Sequence, residues 1–406
     1  MNNLLIAQSG GPTAVINASL AGAVQEASTS GLIDTVYGAK NGIEGVLKAE
    51  FIEFETIITN VNDYELLSHT PSSALGSCRY VLDNWIEKED EYLQFIRIMR
   101  ENQIAYFIYI GGNDSMDTVN KLSNYCKKKK IFDIKIIGVP KTIDNDLKQT
   151  DHCPGFGSAA KYIATTVAEL ERDVSVYDAP SITIIEIMGR NTGWLTAASA
   201  LSRINGADGP KLIYLCEKPF DFAQFILDVK ETMNENVPFL IAVSEGLKDK
   251  NGHYISEKEQ EHKTDAFGHK YIAGTGKVLA DLIRDKIGCK VRTIELNLMQ
   301  RCAGHIVSTT DLNESKMLGM KAVQCAIEGK SGEMVSLKRL TSNPYTIELL
   351  SIPVNQVANY ERQVPPSFIH PNGHDVTADM MQYLFPLIQG EEKIIYENGI
   401  PKHMIV

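Results

Sequence analysis

"AYFIYIGGNDSMDT", residues 105–118, is the stretch on which the fold turns. An uninterrupted apolar run ends at Gly111 and Gly112. Asn113, Asp114 and Ser115 then lead into a polar–apolar alternation of helical character. A run rich in β-formers and free of alternation predicts a strand buried on both faces, and therefore a parallel sheet. A glycine loop between such a strand and a helix attracts anions, because free backbone N–H groups and the helix dipole both favour negative charge. This loop nevertheless carries an anion of its own, Asp114, where a phosphate would sit.

The same unit recurs outward in both directions. "NLLIAQ" (3–8) predicts a strand, followed by the loop "SGGPTAVINA" (9–18) and a helix from about Pro12 to Thr29. "IKIIGVP" (134–140) predicts another, running into "KTIDNDL". Further strands are expected at 181–189, 211–216, 239–246 and 292–297. Helices are expected over 154–174, after Arg190, over the later part of 265–288, and within 372–391 with a start near Asp375 to Thr377. Strands alternating with helices predict an α/β protein of two Rossmann-like, doubly wound domains, the second entered near residue 155. The part after about 336 is mixed in character. In such sheets ligands bind at the carboxyl ends of the strands.

Composition narrows the function. The 406 residues have room for two or three domains. The formal net charge of −11 argues against a general nucleic-acid binder, though local Arg and Lys can still receive an anionic substrate. No apolar run reaches the ~18 residues of a membrane span, and "MNNLLIAQSGG" lacks a signal peptide's basic start, so a cytoplasmic protein is expected. Seven scattered cysteines without a CxxC pair, and nine histidines without zinc-type spacing, predict reduced thiols and no zinc site. "KKKK" (127–130) reads as the solvated end of a helix.

The strand-end loops hold the chemistry. "PKTIDNDL" (140–147) places Lys141 and Thr142 ahead of two carboxylates, Asp144 and Asp146, which point the same way if the segment is extended. Such a pair can divide labour, one accepting a proton and one holding a metal ion. An Asx-rich turn is the plainer alternative, and composition does not separate the two. Arg190 in "MGRNTG", Arg292 and Arg301 around "RTIELNLMQR", and Glu245 all stand at strand ends. Each arginine alone reads as a surface ion pair; together, around one crevice, they suit phosphate. The dinucleotide and Walker fingerprints are absent.

In order and spacing, "SGGPTAVINA", "GGNDS", "GVPKTIDNDL", "EIMGRNTG" and "ELNLMQR" resemble the phosphofructokinases over roughly residues 3–310, and the C-terminal stretch resembles the longer pyrophosphate-dependent members. The resemblance implies the phosphofructokinase fold with a C-terminal extension. A phosphoryl-donor domain would take residues 1–155 plus about 300–350, and a sugar-phosphate domain 156–299 plus about 351–406. It implies Asp144 as the base toward the sugar C1 hydroxyl, with Thr142 beside it, and Arg190 neutralising the transferring phosphoryl group. Gly11, Arg79, Asp114, Ser115 and Lys141 would bind the donor. Thr142, Asp144, Met188, Gly189, Arg190, Glu245 and Arg301 would bind the sugar phosphate, with Arg292 reaching that of an adjacent subunit. Asp114 and Asp146 would hold Mg2+. Pyrophosphate and fructose 6-phosphate are the implied substrates, and a homodimer or homotetramer the implied assembly.

Three positions depart from the pattern. Asn113 stands where most members carry a magnesium-linked Asp, Ser181 where many have a phosphate-binding Arg, and Leu298 where many have a His at the sugar phosphate. Tyr360 and Arg362 in "NYERQ" are candidates to replace that Arg, or else a plain surface loop. The bacterial ATP-dependent members carry Gly where Asp114 and Lys141 stand. A carboxylate there fills the nucleoside's space and repels its α-phosphate, by about 4 kcal/mol at ~4 Å and an effective dielectric near 20. Lys141 adds a cation suited to pyrophosphate. An ATP-dependent or sedoheptulose 7-phosphate kinase, or a non-catalytic sugar-phosphate sensor, are the alternatives.

Overall fold

A computed structural model describes residues 2–256 and 274–406. The first sheet contains β1 (Asn3–Gln8), β2 (Val36–Ala39), β3 (Phe51–Glu53), β4 (Ile104–Gly111) and β5 (Lys135–Pro140). The second contains β6 (Ser181–Ile187), β7 (Leu212–Tyr214), β8 (Phe239–Ser244) and β9 (Lys290–Glu295). The chain then returns through the helix Thr309–Ile327 and adds β10 (Glu333–Ser342) and β11 (Tyr345–Pro353) to the first sheet. The sheet orders are β11-β10-β5-β4-β1-β2-β3 and β7-β8-β6-β9.

Parallel pairing of β1, β2, β4 and β5 follows from their sequences. Leu4, Leu5, Ile6, Phe107, Ile108, Ile136 and Ile137 are all fully buried, as strands covered by helices on both faces must be. The register sets Gln8 beside Ile110 and Gly111 beside Pro140. Three loops (9–12, 112–115 and 141–146) therefore leave one edge of the sheet side by side. From β1 the chain goes to β2 on one side and later to β4 on the other, so the crevice between β1 and β4 is the switch point where α/β sheets bind ligands. The second sheet is parallel throughout, and β6 and β8 also end in register, Ile187 against Ser244.

Several boundaries moved. The first helix spans Ile16–Ser30, not Pro12 onward. Pro12 has no N–H to give, and the loop turns on Thr13, whose Oγ1 accepts from Val15 N at 3.3 Å. The expected helix after Arg190 is short, Trp194–Ala198, and tightens into a 3₁₀ turn over Ser199–Asn205. There Ser199 and Ser202 hydroxyls bond to backbone carbonyls three residues earlier, which competes with helix propagation. The helix expected late in 265–288 runs Thr275–Lys286; the loop residues up to 273 lie outside the described residues. The helix in the C-terminal part, Ala378–Leu384, starts directly after Thr377. All seven cysteines are free thiols.

The C-terminal segment crosses from one core to the other. Val354, Val357 and Ala358 pack beneath the first sheet, while Val364, Ile369, Met380, Leu384 and Leu387 pack with Trp194 under the second. Residues 359–362 are the strap between these two anchorages.

Candidate active site

A cavity of about 880 Å³ opens between the carboxyl ends of the two sheets. That volume suits a pair of small substrates. Gly11, Arg79, Asp114, Ser115, Lys141, Thr142, Asp144, Asp146, Met188, Arg190, Glu245 and Arg301 all line it. Gly189 sits just behind, its N–H donating to Glu245 Oε1 at 3.2 Å. Arg292 is not in this cavity; it is exposed on β9, the edge strand of the second sheet.

The first-sheet side packs two cations against a glycine turn. Lys141 is 3% exposed, and its Nζ approaches the Gly10–Gly11 turn so closely that a Cβ on Gly10 would lie 2.9 Å away. On Gly11 a Cβ would meet Arg301 Nη1 at 3.2 Å. Burial lowers the Lys141 ammonium to about 8, although Asp144 and Asp146 pull the other way. Burial also lowers Arg301, and the neighbouring Arg79 charge adds to this. An anion between these cations relieves both strains.

Asp114 occupies the first turn of the helix Asn113–Lys128, exposed toward the cavity. There the helix dipole stabilises its charge, so the anion-attracting end of this helix is already served by a side chain. The cation on this side of the cavity, Lys141, lies instead against the Gly10–Gly11 turn.

The turn 142–146 is held from several sides. Asp144 N donates to Thr142 Oγ1 at 3.1 Å, and Thr192 Oγ1, from the second sheet, donates to the Asp144 carbonyl at 2.9 Å. Asn145 is fully buried at φ +55°, and its Nδ2 donates to the Tyr383 hydroxyl at 3.0 Å. Burial raises the Asp144 carboxyl, against the opposing charges of Lys141, Arg190 and Arg301. Burial likewise raises Asp146 to about 7, assisted by the charges of Asp144 and Glu361. Glu245 is pushed up to about 8 by burial and by Asp144. Arg190 lines the cavity, and its Nε is buried with no hydrogen-bond acceptor among the described residues.

Among the described residues no three acidic, histidine or thiol side chains converge as a ready-made metal cage. The carboxylates present still fit a hard divalent ion that keeps waters and takes one or two carboxylates plus substrate phosphates.

Asn113 ties the helix start to the C-terminal segment: its Oδ1 accepts from Asn359 N at 2.6 Å and its Nδ2 donates to the Tyr360 carbonyl at 2.9 Å. Arg362 is neither a phosphate ligand nor a surface residue. Its Nη1 donates to the Thr150 and Asp151 carbonyls, its Nη2 to the Tyr383 hydroxyl at 2.7 Å, and its guanidinium stacks on Trp194 at 4.5 Å. Tyr360 is half exposed, outside the cavity wall, with Lys148 Nζ 5.1 Å over its ring. Glu361, not anticipated, does line the cavity. Nothing local in "NYERQ" distinguishes it; only the path of the strap brings it there. Leu298 is 54% exposed beside the Met299–Cys302 turn, and Ser181 begins β6, opposite Lys290.

Comparison with known proteins agrees with this geometry. The phosphofructokinase family pattern matches residues 3–326. The chain is 39% identical over 406 residues to a pyrophosphate–fructose 6-phosphate 1-phosphotransferase of Xanthomonas campestris pv. campestris, covering 99% of this chain and 95% of that protein. It is 32% identical over 371 residues to a sulfofructose kinase of Alkalicoccus urumqiensis, covering 90% and 91%. The crystal structure of a pyrophosphate-dependent phosphofructokinase from Nitrosospira multiformis superposes with a TM-score of 0.89 at 35% identity, covering 100% of this chain and 96% of that one. No helix among the described residues is long and apolar enough to cross a membrane. On the extent of these matches, the chain belongs to the phosphofructokinase family.

Proposed function

We propose that this chain is a phosphotransferase that moves a phosphoryl group reversibly between pyrophosphate and the C1 hydroxyl of fructose 6-phosphate, in glycolytic metabolism. The observation that carries the donor assignment is the pairing of Asp114, charged at the helix N-terminus, with Lys141, buried against Gly10. The first excludes a nucleoside and its α-phosphate; the second suits a compact, highly charged donor. The relatives' names point the same way.

In this reading Asp144 accepts the C1 hydroxyl proton, and burial, by raising its carboxyl, makes it a stronger base than an exposed aspartate. The hydroxyl oxygen attacks phosphorus in line with the departing phosphate, which the Gly10–Gly11 turn, Arg79 and Lys141 retain. Arg190 neutralises charge on the moving group, while Arg301 and Glu245 orient the sugar phosphate; the protein's work is positioning and electrostatics. Asp146 and Asp114 would hold Mg2+, which would supply positive charge to offset that of the diphosphate. We assign the donor to residues 1–155 with 300–350, and the sugar phosphate to 156–299 with 351–406. The bonds exchanged are closer in energy than with ATP, so the reaction runs both ways.

Initial rates with pyrophosphate and with ATP, fructose 6-phosphate held fixed, test the donor. Equal or faster turnover with ATP rejects it. Leu298 and Ser181 leave the acceptor more open, so the same assay with sedoheptulose 7-phosphate belongs beside it. Arg292, exposed on β9, fits a homodimer or homotetramer in which it serves a neighbouring site, and sedimentation velocity decides whether the chain is instead monomeric.

A further inference from the structure

Asn145 stands between the two carboxylates of the turn, Asp144 and Asp146, fully buried and in the left-handed region at φ +55°. Asparagine enters that region more easily than most residues, yet any side chain there stays only because its surroundings hold it. Here the hold is the amide. Its Oδ1 accepts from Cys153 N at 3.0 Å, and its Nδ2 donates to the Tyr383 hydroxyl at 3.0 Å. The flanking residues are fixed by their backbone: Thr192 Oγ1 donates to the Asp144 carbonyl at 2.9 Å, and Arg362 N to the Asp146 carbonyl at 2.7 Å. Three consecutive residues are thus tied to separate segments through amide and carbonyl groups, and both carboxylates are left to the cavity that they line.

Tyr383 is the hub of these ties. A phenol has one proton to give and two lone pairs to fill. Tyr383 Oη accepts from Asn145 Nδ2 and, at 2.7 Å, from Arg362 Nη2, and it donates to the Asp151 carbonyl at 2.7 Å, so its capacity is fully used. Its ring centroid lies 5.2 Å from that of Trp194 and 5.7 Å from that of Phe368, with the Arg339 guanidinium 4.6 Å over the ring. Met380 and Leu384, in the same helix, are buried in the core of the second sheet, whereas Asp144 follows β5 of the first. The hydroxyl therefore references the turn to a rigid point 238 residues further along the chain. A loosened turn costs rate more than binding, since a misplacement of about 1 Å at a reacting group costs on the order of 10²-fold.

We propose that Tyr383 is a positioning residue for the transfer step: through Asn145, its hydroxyl fixes the left-handed turn that aims the Asp144 carboxylate at the acceptor hydroxyl. This rests on the reading of Asp144 as the base. It gives the C-terminal helix a task in the reaction, although Tyr383 itself does not line the cavity.

The test combines steady-state rates with calorimetric titration of fructose 6-phosphate, on Tyr383→Phe, Asn145→Gly and their double variant, and on Tyr383→Phe joined to Asp144→Asn, all well below each thermal midpoint. Tyr383→Phe keeps the ring and removes the hydroxyl. Asn145→Gly accepts the positive φ and removes the tether. Each should lower kcat by roughly 10–100-fold while fructose 6-phosphate binds within about threefold of wild type. A bond that served only the fold would lower the thermal midpoint and leave kcat of the folded enzyme unchanged. In the double variant the two losses should not multiply, because both cut one link. Once Asp144→Asn is present, Tyr383→Phe should cost less than about threefold more, there being no base left to aim. Wild-type kcat in Tyr383→Phe, or its full loss repeated on top of Asn145→Gly or of Asp144→Asn, overturns the role of Tyr383 alone. If Asp144→Asn keeps most of its turnover, the base reading falls and this proposal with it. Should Tyr383→Phe fail to fold, Asn145→Gly decides, and an unaltered kcat there overturns the tether.

Discussion

Lys141 Nζ stands 2.9 Å from where a Cβ on Gly10 would be, so the buried ammonium and the bare turn are one fitted unit. Gly10 also has φ +78°, which costs other residues roughly 1–2 kcal/mol, or about tenfold in an equilibrium. Gly10→Ala should therefore raise the pyrophosphate KM about tenfold or more, leaving that for fructose 6-phosphate unchanged. Since burial brings Lys141 to about 8, pyrophosphate affinity should also fall as pH rises through that value. Lys141→Arg should carry the affinity to higher pH. Identical pH profiles for wild type and Lys141→Arg would separate Lys141 from donor binding.

Asp114 is expected to set the donor by exclusion. Asp114→Gly should improve ATP use relative to pyrophosphate, by up to ~10³ if the whole repulsion of about 4 kcal/mol is relieved. Ratios of kcat/KM for the two donors measure this. An unchanged ratio means that something other than Asp114 keeps the nucleotide out.

Asp144→Asn should lose about 10²–10⁴ in kcat, the usual contribution of a general base. Calorimetric titration with fructose 6-phosphate should meanwhile show binding within about threefold of wild type, because the amide keeps the shape of the turn. A variant with most of its turnover intact would place the base elsewhere.

Glu245 carries a pH dependence of its own. Burial, then the Asp144 charge, push it to about 8, so at neutral pH it is protonated and can donate a hydrogen bond. As pH rises past 8 it ionises and repels the dianionic sugar phosphate. The fructose 6-phosphate KM should climb above pH 8 in the wild type and stay flat in Glu245→Gln. A climb of equal size in both assigns the effect to another group.

A buried ion network beneath the site predicts how stability varies with pH. His152 lies 2.9 Å from Asp151 Oδ2 and 2.6 Å from Glu314 Oε2; Arg339 pairs with Asp151, and the Tyr345 hydroxyl donates to Glu314. Burial alone would lower the imidazole, but the Glu314 charge and the bonds from both carboxylates reverse this and hold it at about 9. With the folded value above the ordinary 6.5, its stabilisation is complete below about pH 6.5 and is lost as pH climbs through 9. The full effect is about 3 kcal/mol. Denaturation midpoints should decline over that window in wild type, and start lower but stay flat in His152→Gln. A decline of the same size in His152→Gln would exclude the network as its source.

What could be read from sequence alone was local. β1, β4, β5, β6 and β8 show themselves as continuous apolar runs ending in glycine or in polar residues, and most site residues fall just past those ends. What could not be read depends on distant chain meeting distant chain. β10 and β11 carry short mixed patterns and become strands by pairing with β5 and with each other. Arg362 and Glu361 are neighbours of one local composition; one is buried in carbonyls and rings, the other faces the cavity, because the strap passes between Asp146 and Trp194. Asn113 sits in the most conspicuous motif of the chain, yet its partners lie at 359 and 360.

The late return of β10 to the edge of β5 also governs how the molecule can be made. During synthesis the chain emerges from its amino end, so β5 waits with an unpaired edge while everything from 141 to 332 is produced. Such an edge is a template for pairing with another copy, and contacts of long sequence separation form slowly. A fragment ending at residue 155 is accordingly expected to self-associate through β5, by size-exclusion chromatography, and a fragment carrying 1–155 joined to 300–353 to do so less. If the short fragment runs as a folded monomer, the edge of β5 needs no late partner.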